Sequence, residues 1–193
     1  MQSVSRPLSG LSVAVFGSSE PEPGTAPYEE ARKLGDLLAG TGARVVNGGY
    51  GGVMEAVSRG ARDAGGSVLG ITGAFFLDRE PNPWLSEVIP CRDLFERTRL
   101  LIDLSHAFII LPGKSGTIAE LAFLWALDRA GLLGGRPVVL CGKIWPGLLD
   151  AIERAGALEP AQRRMSLLTP NVEEAVGLLV RSMAGHAGRK ETE

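Results

Sequence analysis

Short apolar runs alternate with stretches whose apolar positions recur at helical spacing along nearly the whole chain. Leu11 to Phe16 predicts a first strand, ended by Gly17-Ser18-Ser19. After a loop rich in Pro and Glu, Tyr28 to Ala39 puts Leu34, Leu37 and Leu38 on one face of a helix, which Gly40-Thr41-Gly42 stops. Ala43 to Val46 reads as a strand, Gly52 to Ala64 as a helix closed by Gly65-Gly66, and Ser67 to Ile71 as a third strand. Gly73 to Pro90, interrupted by Pro81 and Pro83, reads as a surface loop holding one short strand near Val88-Ile89. Asp93 to Ser105 follows as a helix, and Ala107 to Leu111 as a strand apolar enough to be buried on both faces. The remainder predicts a helix over Gly116 to Ala130, a strand over Pro137 to Cys141 and a helix over Trp145 to Ala155. A last strand is expected over Met165 to Leu168 and a last helix over Val172 to Met183. Strands alternating with helices in this way imply an α/β fold, a doubly wound, mostly parallel sheet of about six to seven strands with helices on both faces. The expected layout is one domain over 11–184, between a polar N-terminal tail (1–10) and a mobile polar C-terminal tail (185–193).

Composition agrees with one domain: 193 residues, 45% of them hydrophobic, suffice for one substantial core rather than two. Lys and Arg number 20 against 22 Asp and Glu, so the chain lacks the positive excess that tracking a nucleic acid backbone requires. Cys91 and Cys141 form no CxxC pair and lie far in sequence from His106 and His186, which argues against a zinc site or a disulfide framework. The start lacks the apolar core of a signal peptide and the apolar runs are too short to span a membrane, so a cytoplasmic setting is expected.

Two turns carry the candidate chemistry: Asn47-Gly48-Gly49-Tyr50-Gly51-Gly52 and Leu111-Pro112-Gly113-Lys114-Ser115-Gly116-Thr117. Each follows a predicted strand and opens a predicted helix. Helix N-termini there present unpaired N–H groups and the positive end of the dipole, and glycines let the backbone come close to a phosphate. Tight turns alone also call for glycine, but two such turns in one small domain favour anion binding. Neither turn fits the Walker spacing, and no GxGxxG with a following acidic residue supports a dinucleotide site. Thr117 and Glu120 have the spacing of a capping box, a structural role; Glu120 could also stabilise an oxocarbenium ion or activate water. The spacing of Leu94, Arg97, Leu101 and Leu104 puts Arg97 on an apolar helix face, where it needs a carboxylate or a ligand phosphate as partner. Arg99 falls on the far side and is expected to be solvated.

From about Ser12 to Leu149 these motifs resemble the Lonely Guy type of cytokinin riboside 5′-monophosphate phosphoribohydrolases, often mislabelled lysine decarboxylases. The resemblance rests on Val15-Phe16-Gly17-Ser18-Ser19, Pro27-Tyr28 and Gly48-Gly49-Tyr50-Gly51-Gly52-Val53-Met54. It is most specific at Glu96-Arg97 and at Ala107 to Gly113 followed by Gly116-Thr117 and Glu120, which is similar to the family's PGGxGTxxE signature. Members are Rossmann-like homodimers that release free base and ribose 5-phosphate from a nucleotide without metal or organic cofactor. The resemblance implies the same here, with an AMP-like or cytokinin riboside monophosphate as substrate. It makes Arg97 and Glu120 the catalytic pair. It implies nucleotide contacts at Gly17, Ser18, Gly49, Gly51, Gly52 and Met54, and a phosphate cradle at Gly113, Lys114, Ser115, Gly116 and Thr117. Lys114 replaces the second glycine of the signature, Ser115 stands where a bulkier residue is common, Ala119-Glu120 is what remains of an acidic pair, and Thr98 stands where a Lys usually follows the Arg.

Molybdenum cofactor carrier proteins share the expected fold and resemble Asn47 to Gly60, including Gly51-Gly52-Val53-Met54-Glu55-Ala56, so a non-catalytic carrier is the alternative. Retention of both Arg97 and Glu120 favours the enzyme. A decarboxylase would need a pyridoxal-phosphate lysine, and Lys33, Lys114, Lys143 and Lys190 have no such context.

Overall fold

The computed structural model describes residues 6–76 and 78–190, with side chains through 185. Strands β1 (Ser12–Phe16), β2 (Arg44–Asn47), β3 (Val68–Gly73), β4 (Glu87–Cys91), β5 (Ala107–Ile110), β6 (Val138–Cys141) and β7 (Ser166–Thr169) form one sheet. All its pairings are parallel, in the order β4-β3-β2-β1-β5-β6-β7. The helices are α1 (Ala26–Gly40), α2 (Val53–Asp63), α3 (Leu94–Asp103), α4 (Ser115–Arg129), α5 (Ile144–Arg154), α6 (Pro160–Met165) and α7 (Val172–Lys190). The chain winds outward from β1 to β4, and α3 then returns it to β5 on the other side of β1. This reversal opens a crevice between the ends of β1 and β5, where doubly wound sheets bind ligands.

Alternation along the strands sorts the core into two layers. Val13, Val15, Val45 and Ile109 point to one face, under Leu34, Leu38, Val57 and Leu179 of α1, α2 and α7. Ala14, Phe16, Val46 and Phe108 point to the other, under Leu101, Leu121, Leu124 and Trp145 of α3, α4 and α5. Both faces are covered, which is why the strands read as unbroken apolar runs. Helices α1 and α2 meet backbone to backbone: a Cβ on Gly35 would lie 2.1 Å from the Val57 carbonyl oxygen, and one on Gly60 1.8 Å from that of Arg32. That contact fixes the direction in which α2 leaves the sheet and hence where its N-terminus points.

The expected short strand near Val88-Ile89 is β4, at the sheet edge, where Pro90 costs no ladder bond to a further neighbour. Other elements differ from expectation. Helix α6, with Pro160 in its first turn and the Gln162 side chain accepting from the Glu159 amide at 2.8 Å, is too short to show periodicity in sequence. Leu8, within the expected polar tail, is buried, and its amide donates to the Thr41 carbonyl at 3.0 Å. Helix α7 continues to Lys190, so residues 185–190 of the expected mobile tail are helical; residues 1–5 and 191–193 lie outside the described residues. Among the described residues no helix is long and apolar enough to cross a membrane.

Candidate active site

Three segments meet at the crevice: the end of β1, the turn from β2 into α2 and the turn from β5 into α4. They are sewn together by backbone bonds. The Ser18 amide donates to the Pro112 carbonyl (3.2 Å), the Val53 amide to the Ser18 carbonyl (2.9 Å), and the Leu111 amide to the Phe16 carbonyl (2.9 Å). Glycine is required where the segments touch. Gly52, at φ +69°, would set a Cβ 2.4 Å from the Ser19 carbonyl carbon, and a Cβ on Gly113 would lie 2.2 Å from Thr117 Oγ1. Helices α2 and α4 have Gly52 and Lys114 at their N-cap positions and no side-chain cap; the Val53 amide is committed to Ser18, and the other first-turn amides remain available to a ligand.

The resulting pocket is lined by three sets of residues. Gly17, Ser18, Ser115, Gly116 and Thr117 bring backbone amides and hydroxyls; Tyr50, Met54, Phe76 and Arg79 bring aromatic, thioether and cationic groups; Arg97 and Glu120 line it as well. Of the remaining sequence candidates, Lys114 lines the rim, whereas Gly49, Gly51, Gly52 and Gly113 shape the turns without lining the pocket. Ser19 and Tyr50 line it from within the motifs read in sequence, though not among the named site residues, and Glu20, Phe76 and Arg79 lie outside those motifs. Asn47 is a further residue whose role was not read from sequence. Fully buried, it accepts from the Gly49 amide (2.8 Å) and donates to Ser58 Oγ (2.8 Å), holding the glycine turn against α2. An Asn before paired glycines was the available signal.

Arg97 is 7% exposed, but its face differs from the expected one: Leu94 is 54% exposed, Leu104 is also exposed, and Arg97, Thr98, Leu101 and Ile102 are buried. Within the protein its hydrogen-bond partners are backbone carbonyls, not the carboxylate that sequence offered as one alternative. Nε donates to Ile71 at 2.8 Å and Nη2 to Gly48 at 3.1 Å. The guanidinium carbon lies 5.9 Å from the Tyr50 ring centroid and 5.7 Å from that of Phe76. Burial pulls the Arg97 pKa down while nearby Glu120 opposes the shift. Only some of its five N–H donors are committed, so others remain for a ligand. Gly48 makes this position possible, since a Cβ there would lie 1.7 Å from Nη2. Arg99 is exposed and pairs with Asp103 at 3.2 Å, as a solvated side chain does.

The expected capping box is absent. Helix α4 starts at Ser115 rather than Thr117, so Thr117 already lies in the first turn and Glu120 in the second. Glu120 is half-buried and lines the pocket, and among the described residues no hydrogen bond reaches its carboxylate. Burial pushes its pKa up to about 7, with Arg97 pulling the other way. Lys114 pairs instead with Glu20 across the rim, both groups well exposed. Thr98 turns its hydroxyl back to the Leu94 carbonyl at 2.9 Å and brings no charge to the pocket.

A parallel doubly wound sheet with two uncapped helix N-termini, a buried arginine and a near-neutral carboxyl at its switch point defines an α/β protein suited to a phosphate-bearing ligand. Residues 10–152 match the SLOG cluster4 family, and the chain belongs to that family. It is 31% identical over 176 residues to the cytokinin riboside 5′-monophosphate phosphoribohydrolase of Rhodococcoides fascians, covering 87% of this chain and 88% of that protein. To the protein of the same name from Mycobacterium tuberculosis it is 31% identical over 177 residues, covering 85% and 90%. The solved structure of the molybdenum cofactor carrier protein of Chlamydomonas reinhardtii is similar at a TM-score of 0.70 and 22% identity, over 90% of this chain and 98% of that one, a likeness of fold.

Proposed function

We propose that this protein hydrolyses the N-glycosidic bond of a purine nucleoside 5′-monophosphate, the class that includes cytokinin riboside monophosphates, giving free base and ribose 5-phosphate. The observation that carries this is the meeting of Glu120 and Arg97 with the α4 N-terminus in one pocket. The 5′-phosphate takes the amides of Ser115 to Thr117 and the hydroxyls of Ser18, Ser115 and Thr117, and the sugar then lies against Glu120. The C1′–N bond breaks with its electron pair passing to the base. Water adds to C1′ as the Glu120 carboxylate takes its proton, and that proton leaves on the base. Arg97 holds Glu120 partly ionised near neutral pH and offers its uncommitted donors to the substrate. The names of the phosphoribohydrolase relatives support the same reading. A panel of nucleoside 5′-monophosphates resolved by chromatography tests it, with free base as the expected product and bound, unchanged nucleotide as the carrier outcome.

Binding is expected to depend on the phosphate. Calorimetry should find the nucleoside at least ~10-fold weaker than its monophosphate, with inorganic phosphate competing, because the helix amides serve only the charged group. Equal affinities would remove the cradle.

A homodimer is the expected assembly. Phe95 (77% exposed) and Phe123 (45% exposed) leave an apolar groove between α3 and α4, continued by Ile102 and Leu127. These helices carry Arg97 and Glu120, so the interface would back the site. Light scattering at micromolar concentration should give twice the chain mass, and a monomer there would contradict it. The buried, unpaired thiols of Cys91 and Cys141 suit a reducing compartment such as the cytoplasm.

A further inference from the structure

Lys114 and Glu20 stand on opposite walls of the crevice. Lys114 is the extended N-cap residue of α4, and its carbonyl accepts the first helical bond from the Ile118 amide at 3.0 Å. Glu20 follows the end of β1, where its amide donates to Ser18 Oγ at 3.2 Å, so a short turn sets its carboxylate beside a hydroxyl of the cradle. Both side chains line the pocket, and their exposed ion pair bridges its mouth. The other cations of the pocket lie across from this pair. Arg97 donates to the carbonyls of Ile71 in β3 and Gly48 just after β2, and Arg79 stacks 5.3 Å from the Phe76 ring centroid. The β3–β4 loop that carries Phe76 and Arg79 is tied to the turn after β2: the Tyr50 hydroxyl donates to the Gly73 carbonyl (2.9 Å), and the Asn82 side chain donates to the Tyr50 carbonyl (3.0 Å).

We propose that Glu20, held at the mouth by Lys114, closes the cradle to a second phosphate and so sets the length of phosphate chain the pocket accepts. The inference rests on the nucleotide reading of the same pocket. Helix α4 then gives the bound nucleotide a direction. At about 1.5 Å per residue, Glu120 lies roughly 9 Å along the helix axis from Lys114, with the amides of Ser115, Gly116 and Thr117 between them. With the sugar at Glu120 and the 5′-phosphate on those amides, a β-phosphate continues away from the sugar, past the helix N-terminus, and meets the Lys114–Glu20 pair. Helix N-termini and a free ammonium would by themselves favour the more highly charged chain. Glu20 reverses that preference in two ways: it neutralises Lys114, and its own charge opposes the incoming one. A single phosphate, seated on amides and hydroxyls deeper in the pocket, has no ion pair to break.

The test compares AMP with ADP in metal-free buffer, by kcat/KM for base release and by calorimetry, on wild type, Glu20→Gln and Glu22→Gln. The last removes the same charge from an exposed side chain outside this pocket. Wild type should favour AMP by about 10- to 100-fold, the scale of one unit charge acting at about 4 Å in a partly exposed site. Glu20→Gln should narrow the ratio by about the same factor through better use of ADP, a gain that misfolding cannot produce. Glu22→Gln should keep the wild-type ratio. Wild type using ADP as well as AMP would overturn the proposal, as would an unchanged ratio in Glu20→Gln or an equal shift in Glu22→Gln. A ratio that narrows by loss on AMP would also overturn it, because the pair would then serve the first phosphate. If neither nucleotide is hydrolysed, the enzyme reading falls, and the ratio of calorimetric affinities still decides the role of Glu20.

Discussion

Glu120→Gln is expected to reduce base release by ~100-fold or more, with nucleotide affinity largely retained, the scale of losing one general-base or electrostatic contribution. The substitution is informative because Glu120 has no capping duty: it lies in the second turn of a helix that begins at Ser115. Its other signature is in stability. The carboxyl ionises near 4.5 in the unfolded chain and at about 7 in the fold. Between these values the native state keeps a proton that the unfolded state has lost. Stability contributed by this group is therefore fully present below pH 4.5 and is lost as pH rises through 7, by up to about 3 kcal/mol, less where solvent screens the half-buried group. Glutamine carries no such proton. The variant should be the more stable protein at about pH 8, with the difference closing in acid, as thermal or urea unfolding at several pH values would show. Wild-type turnover should correspondingly fall as pH drops through about 7. Unchanged turnover in Glu120→Gln would return the residue to a structural role.

Gly48→Ala should have an effect of similar size from a position with no chemistry of its own. The new methyl would lie 1.7 Å from Arg97 Nη2, and the guanidinium would leave the Gly48 carbonyl it now binds at 3.1 Å. Displacing a positioned group by about 1 Å costs on the order of 100-fold in rate. Arg97→Ala should lose about as much, and the double variant little more than either, since both remove one arrangement. Additive losses in that cycle would show that Gly48 acts on something other than Arg97.

Strand and helix positions are readable because the central strands are compact apolar runs and the turns into α2 and α4 are marked by glycine. What failed to read depends on distant partners. The spacing of Leu94, Arg97, Leu101 and Leu104 is helical, yet Leu94 and Leu104 stay exposed because α3 turns Thr98 and Ile102 inward instead. Thr117 and Glu120 obey a local capping rule, but Lys114 adopts the extended N-cap conformation and the helix starts earlier. The close approach of α1 and α2 at Gly35 and Gly60 is made across the intervening strand β2, and neither glycine sits at a turn. Phe76 and Arg79 lie in an irregular loop, where periodicity carries no signal and only the anchors at Gly73 and Asn82 reveal a defined path.

The most direct measurement is a product balance: the purified protein incubated with a purine nucleoside 5′-monophosphate, then base, ribose 5-phosphate and remaining nucleotide quantified together. Free base and ribose 5-phosphate should appear in equal amounts over many turnovers, and Glu120→Gln should suppress both. Nucleotide recovered intact, at one equivalent per site and without either product, would contradict the account and make the pocket a carrier site.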